Sequence, residues 1–121
     1  MATGEALKAA LEGLRDSLPE LKAVLLASNE GLPIAHVVTN GEDPNRVAAM
    51  AAAASTLGRR ISTTMSAGTL GEVSIQADNG ALFVYSAGSK ALLAVICPQG
   101  GNAGLIHLEA RAAAKEIGNL F

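Results

Sequence analysis

The spacing of apolar residues predicts a helix near each end of the chain. Leucines recur at three- and four-residue intervals through residues 4–18, which is typical of an amphipathic helix, and Pro19 ends it. Near the other end, Asn102 is a suitable N-cap for a helix whose apolar positions continue to Ile117. Each helix therefore has one face that must pack against other elements.

Between these helices, five short runs of apolar or alternating residues predict β-strands. Residues 29–31 (Asn-Glu-Gly) have turn composition, so the first two runs form a β-hairpin. Residues 78–80 (Asp-Asn-Gly) are a strong hairpin turn between the third and fourth runs. The predicted strands cover residues 21–28, 32–39, 72–77, 81–86 and 91–97.

A long helix is expected between the second and third strands, over residues 44–65. Asp43 is a suitable N-cap, and Pro44 suits the first helical position. One stripe along this helix is apolar enough to pack against the sheet. The stripe consists of Val47, Met50, Ala51, Ala54, Leu57, Gly58, Ile61 and Met65.

The resulting order, αββαβββα, predicts one α/β (α+β) domain over residues 1–121. Runs 22–27 and 91–97 are apolar on both pleat faces, so they belong in the middle of a covered sheet. Pro33 places the second strand at an edge, and the polar face of strand 72–77 suits the other edge. We expect a three-layer sandwich, in which a five-stranded antiparallel sheet carries one helix on one face and two on the other.

The opposite side of the long helix carries only small side chains: Ala48, Ala49, Ala52, Ala53 and Thr56. Alanine can fill solvent positions because of its high helix propensity, or small residues can let a second helix approach closely. The second interpretation, joined to the pairing capacity of a free strand edge, predicts a symmetric homodimer through helix 44–65 and strand 72–77. Its predicted interface contains Ala48, Ala52, Thr56, Glu72, Val73, Ser74, Ile75 and Gln76.

Composition narrows the function classes. The net charge is −2 and aromatic residues are 2% of the chain, so a basic stripe or base-stacking platform for nucleic acid is not expected. No apolar run approaches the ~20 residues that span a bilayer. A single cysteine suits a reducing compartment, and the N-terminal residues lack the pattern of a secretory signal. We therefore expect a cytoplasmic protein.

The sequence contains no recognisable catalytic motif, and we predict no catalytic residue, cofactor or metal ligand. Residues 87–90 lack the spacing of a phosphate-binding loop and are expected to form a hairpin turn. His36 is predicted to be a surface or satisfied histidine, and His107 to lie on a solvated helix face with Glu109 and Arg111. Cys97 ends an apolar strand, which indicates a buried thiol rather than a nucleophile.

Three arginines on the long helix have two interpretations. Arg59 and Arg60 are placed favourably near the helix C-terminus, and Arg46 lies in the first turn, so all three can be solvated residues without a partner. Alternatively, they contact an acidic surface of a partner protein. A third interpretation, in which one of them acts as a catalytic arginine finger on a GTPase, is the one that the sequence favours least.

Several segments together resemble the Roadblock/dynein light chain family. Residues 23–35 (AVLLASNEGLPIA) resemble the family's strand-turn-strand hairpin. The Ala/Met-rich helix over 44–65, then residues 80–84 and 91–95, follow in the order and spacing of the family. The terminal helix, with Glu109-Ala110-Arg111, is similar to that of the bacterial and archaeal, MglB-like members.

This resemblance implies an α/β/α sandwich that dimerises through its second helix and third strand. It also implies binding and regulation of a Ras-like small GTPase, or, as an alternative, a non-catalytic role as scaffold or light-chain adaptor in a signalling or motor complex. By position, the GTPase-partner surface would contain Arg46, Ala49, Met50, Ala53, Arg59 and Arg60. A small-ligand sensor of PAS-like architecture is a third class, which the scarcity of aromatic residues disfavours.

Overall fold

The computed structural model describes residues 4–38 and 41–121. The predicted end of the second strand at Thr39 and the N-terminal residues 1–3 lie outside the described residues. The elements follow the predicted order αββαβββα. Their bounds are α1 Gly4–Ser17, β1 Ala23–Ser28, β2 Pro33–Val38, α2 Pro44–Thr64, β3 Glu72–Ala77, β4 Gly80–Ala87, β5 Ala91–Pro98 and α3 Ala103–Gly118.

The five strands form one antiparallel sheet in the order β2-β1-β5-β4-β3. Strands β1 and β5 lie in its interior, and residues 23–27 and 91–95 are buried on both faces, as their continuous apolar sequence predicts. Strand β2 carries Pro33 at an edge, next to a shift in its register with β1. Strand β3 forms the other edge, so both predicted edges are confirmed.

Helices cover both faces of the sheet, and each face has its own apolar core. Helices α1 and α3 lie together on one face, where Leu11, Leu14 and Ile117 pack against strand residues such as Phe83 and Leu93. Helix α2 lies alone on the other face, over residues of β1, β4 and β5. The predicted three-layer arrangement is therefore confirmed.

Both predicted N-caps are observed. The Asp43 side chain accepts a hydrogen bond from the Asn45 backbone N–H at 3.0 Å. The Asn102 side chain accepts one from the Leu105 N–H at 3.0 Å. Each cap satisfies one of the backbone N–H groups that have no partner within the helix, which fixes where α2 and α3 begin.

The orientation of α2 differs from the prediction. The residues that face the sheet are Val47, Ala48, Ala51, Ala52 and Ser55, whereas Met50, Leu57, Ile61 and Met65 are exposed. Val47 and Ala51 were placed correctly, and Ala54 is half-buried. The prediction placed the large apolar side chains against the core, but small side chains let the helix backbone lie closer to the strands. Ala48 and Ala52 are consequently covered by the sheet and cannot contact a second copy.

Two glycines allow α3 to end against the β4–β5 turn. A Cβ on Gly118 would lie 2.7 Å from the backbone nitrogen of Gly88 and 3.0 Å from its Cα. Gly88 itself has a φ of +71°, a conformation that side chains disfavour. The two backbones therefore touch with no room for a methyl group between them.

We expect the Gly118→Ala substitution to destabilise the protein by about 1–3 kcal/mol, because the added methyl group must push two backbone segments apart. Gly13→Ala is a matched control, since a Cβ there meets nothing within 4 Å. Alanine at that helical position should stabilise the fold by about 0.5–1 kcal/mol. Urea unfolding followed by circular dichroism measures both, and equal stability of Gly118→Ala and the wild type would contradict the close contact.

Candidate functional site

Large apolar side chains are exposed along one flank of α2. Met50 is 48% exposed, Leu57 57%, Ile61 48% and Met65 70%. Ile75 on β3 is 49% exposed. Contiguous apolar side chains on a surface are typical of a protein–protein contact. We call these five residues, together with the free edge of β3, the α2/β3 surface.

The exposed flank of α2 lies beside strand β3. A Cβ on Gly58 would lie 3.0 Å from Cγ2 of Val73, so the helix crosses the strand closely at this position. Val73 packs in the core on the α2 side, and Ile75 shares that face because side chains alternate along a strand. Leu57 and Ile61 are within one turn of Gly58, so α2 carries exposed apolar side chains in the part of the helix that crosses β3.

The outer edge of β3 is free to pair. All six residues of the strand pair with β4, in a regular register without a bulge, and among residues 4–38 and 41–121 no strand lies on the other side. Ser74, Ile75 and Gln76 are exposed. A regular edge without proline or a bulge presents its N–H and C=O groups as a template for another strand.

The residues predicted for a dimer interface differ in how accessible they are to a partner. Thr56 of α2 and Ser74, Ile75 and Gln76 of β3 are exposed and accessible to a partner, and Val73 is half-buried. Glu72 is half-buried, and its carboxylate is engaged within the chain by α3. Ala48 and Ala52 are buried, as described above.

The residues predicted for a GTPase-partner surface are all exposed on the outer face of α2: Arg46, Ala49, Met50, Ala53, Arg59 and Arg60. The helix contains no acidic residue, although the net charge of the whole chain is −2. Arg46 and Arg60 are separated by about 21 Å at the α-helical rise of ~1.5 Å per residue. Between the two arginines, the small side chains of Ala49 and Ala53 leave the helix backbone accessible to a partner.

Arg59 is not oriented like the other two arginines. Its guanidinium donates hydrogen bonds to the hydroxyl oxygen of Ser55 at 3.0 Å and of Thr56 at 3.4 Å. The side chain therefore lies back along α2, with its donors partly used within the helix. No such contact is present for Arg46 or Arg60 in the part of the chain that the structure describes.

A shallow open groove of about 460 Å³ separates α2 from the β1–β2 turn. Ala49, Ala52 and Ala53 lie in it, with Glu30 on the turn side and Arg60 on the helix side. A Cβ on Gly31, whose φ is +95°, would lie 3.4 Å from the Cα of Ala49, so the turn approaches the helix closely. The outer face of α2 therefore continues onto the hairpin.

A polar cluster that the sequence did not predict joins β3 to α3. Arg111 donates from Nε to Oε1 of Glu72 at 2.7 Å and from Nη2 to Oε2 at 3.0 Å. Nδ1 of His107 lies 3.0 Å from Oε2 of Glu72 and 2.7 Å from the Tyr85 hydroxyl. The His107 ring also packs against Phe83, with the ring centroids 4.5 Å apart.

The electrostatics of this cluster follow from its contacts. The Arg111 hydrogen bonds lower the pKa of Glu72, and burial opposes them only in part. Burial, and next the Glu72 charge, raise the pKa of the Tyr85 hydroxyl, which therefore keeps its proton. A carboxylate only accepts hydrogen bonds, so a hydrogen on Nδ1 of His107 satisfies both Glu72 and the Tyr85 oxygen.

The expectation that His107 lies on a solvated face with Arg111 and Glu109 is therefore wrong for His107. The ring is largely covered, with its side chain 19% exposed, while Arg111 remains open to solvent on one side. The four-residue spacing of His107 and Arg111 could have indicated a shared face of α3. It could not show that Glu72 lies opposite that face. His36, in contrast, is exposed as predicted.

Cys97 is a buried thiol, as its place in an apolar strand predicts. Burial raises its pKa to about 11, so the reactive thiolate is scarce near neutral pH. Among residues 4–38 and 41–121, no three His, Cys, Asp or Glu side chains are grouped so that they could hold a metal ion. Over the same residues, no helix has both the length and the hydropathy that crossing a membrane requires.

Known proteins are similar to this chain in sequence or in fold. The family described as "Roadblock/LC7 domain" matches residues 7–97. The uncharacterized protein MJ1340 of Methanocaldococcus jannaschii is 30% identical over 101 residues, which are 84% of this chain and 88% of that protein. The Roadblock/LC7 domain from Streptomyces avermitilis superposes with a TM-score of 0.84 at 25% identity, covering 91% of this chain and 92% of its own. Myxococcus xanthus MglB has the same fold, with a TM-score of 0.88 at 19% identity over 98% and 89% of the two chains.

We expect the Glu72 contacts to stabilise the fold in a pH-dependent way. Because its pKa is lowered on folding, the stabilisation is present above the ordinary carboxyl value of 4.5 and is lost as the pH falls through the lowered pKa. Glu72→Gln should therefore unfold at lower urea concentration than the wild type at pH 7. The difference should shrink as the pH falls below 4.5 and disappear once Glu72 is protonated in the folded protein.

Glu116→Gln is the control for this prediction, because it neutralises an exposed carboxylate of α3 outside the cluster. Its stability should match the wild type at pH 7. A Glu72→Gln variant that is as stable as the wild type at pH 7, or less stable by the same amount at every pH, would contradict the assignment.

Proposed function

The chain belongs to the Roadblock/LC7 family, and from that premise we propose that it is a homodimeric regulator that binds a Ras-like small GTPase. The observation that carries the proposal is the α2/β3 surface, where exposed apolar side chains continue onto a free strand edge. The GTPase assignment rests on the resemblance of this chain to the MglB-like members. It is supported by the cationic outer face of α2.

The proposed dimer pairs β3 of one copy with β3 of a second copy in antiparallel fashion. A two-fold axis perpendicular to the sheet would join the two sheets and place both α2 helices on the same side. The exposed flanks of the helices would then meet over the paired strands. Complete burial of a fully exposed leucine or isoleucine side chain contributes about 1.5–3 kcal/mol, and Leu57, Ile61 and Ile75 are about half exposed, so each would contribute roughly half of that on burial in the dimer.

The proposed GTPase surface lies on the outward side of the paired helices. The flank with Leu57 and Ile61 would be covered in the dimer, while Arg46, Ala53 and Arg60 would stay accessible. Three arginines and no acidic residue on α2 favour a partner with acidic side chains at its contact surface. In this proposal the chain supplies no catalytic group, and the GTPase holds the nucleotide and hydrolyses it.

The alternative is a scaffold or adaptor that binds its partner without changing nucleotide turnover. An adaptor would use the same surface of α2 and β3, because docking of a partner needs the same exposed apolar and cationic side chains. The two functions differ only in what happens to the GTPase after binding, so a turnover measurement separates them.

The first test is the oligomeric state. Light scattering after size exclusion should give twice the 12.2 kDa mass of the chain. Leu57→Asp should raise the dimer dissociation constant at least about thirtyfold, because it places a charge in an apolar contact. Leu108→Asp is a matched control on the exposed face of α3 and should leave the dimer intact. A wild-type mass of 12.2 kDa at all concentrations would reject the dimer.

The second test measures a purified Ras-like GTPase from the same organism. Saturating amounts of this protein should change the single-turnover rate of GTP hydrolysis. Arg60→Glu should lower affinity for the GTPase about tenfold, because it reverses a charge at the proposed contact. Lys115→Glu makes the same charge change on α3 and should bind normally. Binding with an unchanged hydrolysis rate would favour the adaptor, and no binding would contradict both functions.

A further inference from the structure

The edge strand β3 has an unusual support on its α3 side. Glu72, Ser74 and Gln76 share that face of the strand, but Ser74 and Gln76 are exposed. Helix α3 packs over β4 and β5, one and two strands further in. Of these three side chains, Glu72 is the one that makes polar contacts with α3 in the described part of the chain, through Arg111 and His107. Strand β3 is therefore held on this face at its first residue.

The Glu72 contact lies at the start of β3, directly after the connection from α2. Glu72 follows residues 65–71, which connect α2 to β3 and are exposed apart from a half-buried Leu70. Ser66 in this connection has a positive φ, and Gly68 has a φ of +93°. Such a connection contributes little apolar burial to hold the start of the strand. Fixing Glu72 therefore stops fraying where the connection meets the strand.

We propose that Glu72 is a positioning residue for homodimerisation, held by Arg111 and His107 so that the edge of β3 is ordered before a second copy pairs with it. This inference rests on the proposed homodimer. A strand that is already ordered pays less conformational entropy when it pairs, so the dissociation constant of the dimer is lower. The bidentate geometry suits this role, because a guanidinium fork fixes both carboxylate oxygens in one plane.

The experiment measures the dimer dissociation constant by analytical ultracentrifugation at pH 7. Glu72→Gln and Arg111→Gln should each weaken the dimer about fivefold, and the double variant should be no weaker than either single one, because all three lose the same contact. Lys115→Gln, which removes an exposed charge one turn further along α3, should leave the dissociation constant unchanged.

One further measurement separates positioning from general stability. Hydrogen exchange should show faster exchange of the β3 amides in Glu72→Gln monomers, with β1 and β5 unchanged. Thermal melts identify any variant that fails to fold, and the exchange of the β3 amides in the folded variants then decides between the two explanations.

The possible failures are distinguishable. If the wild type dimerises but Glu72→Gln dimerises equally well, or loses stability without weakening the dimer, the positioning role is overturned and the proposed function stands. If the wild type is a monomer at every concentration, the proposed homodimer fails together with this inference.

Discussion

The close packing of α2 on the sheet is the constraint on which the surface of this protein depends. The side chains of α2 that face the sheet are no larger than valine, so the helix backbone lies near the strands and leaves no room there for longer side chains of the helix. Met50, Leu57 and Ile61 are therefore displaced onto the flank of the helix. The packing that completes the core on this face also creates the exposed apolar surface beside β3.

The edge strand next to this flank is stabilised in a different way. The helices cover the middle of the sheet, and β3 extends beyond the cover of α3, so apolar packing on that face cannot hold it. A carboxylate held by an arginine and a histidine replaces that packing at Glu72. A charged contact of this kind is directional, whereas apolar contact tolerates sliding. It can therefore fix a strand position and respond to protonation, which apolar packing cannot do.

Local patterns in the sequence predicted the elements and most of their places. The caps at Asp43 and Asn102 depend on residues two or three positions away, so they can be recognised without the fold. The interior position of β5 follows from its apolar character on both faces, and Pro33 limits β2 to an edge. The rotation of α2 could not be obtained in this way, because apolar residues surround much of the helix. The assumption that larger residues face inward therefore placed Met50 against the sheet and Ala48 on the surface, the reverse of what is observed.

The sequence by itself determined the order of elements, their caps and the central and edge strands, because each depends on residues that are close along the chain. The tertiary structure alone decided which side of α2 is buried, since that depends on the volume available between two layers. It also decided the partners of Glu72, because Arg111 lies 39 residues away and no local spacing connects them. Side-chain periodicity shows which residues share a face, and only the packed fold shows what lies opposite that face.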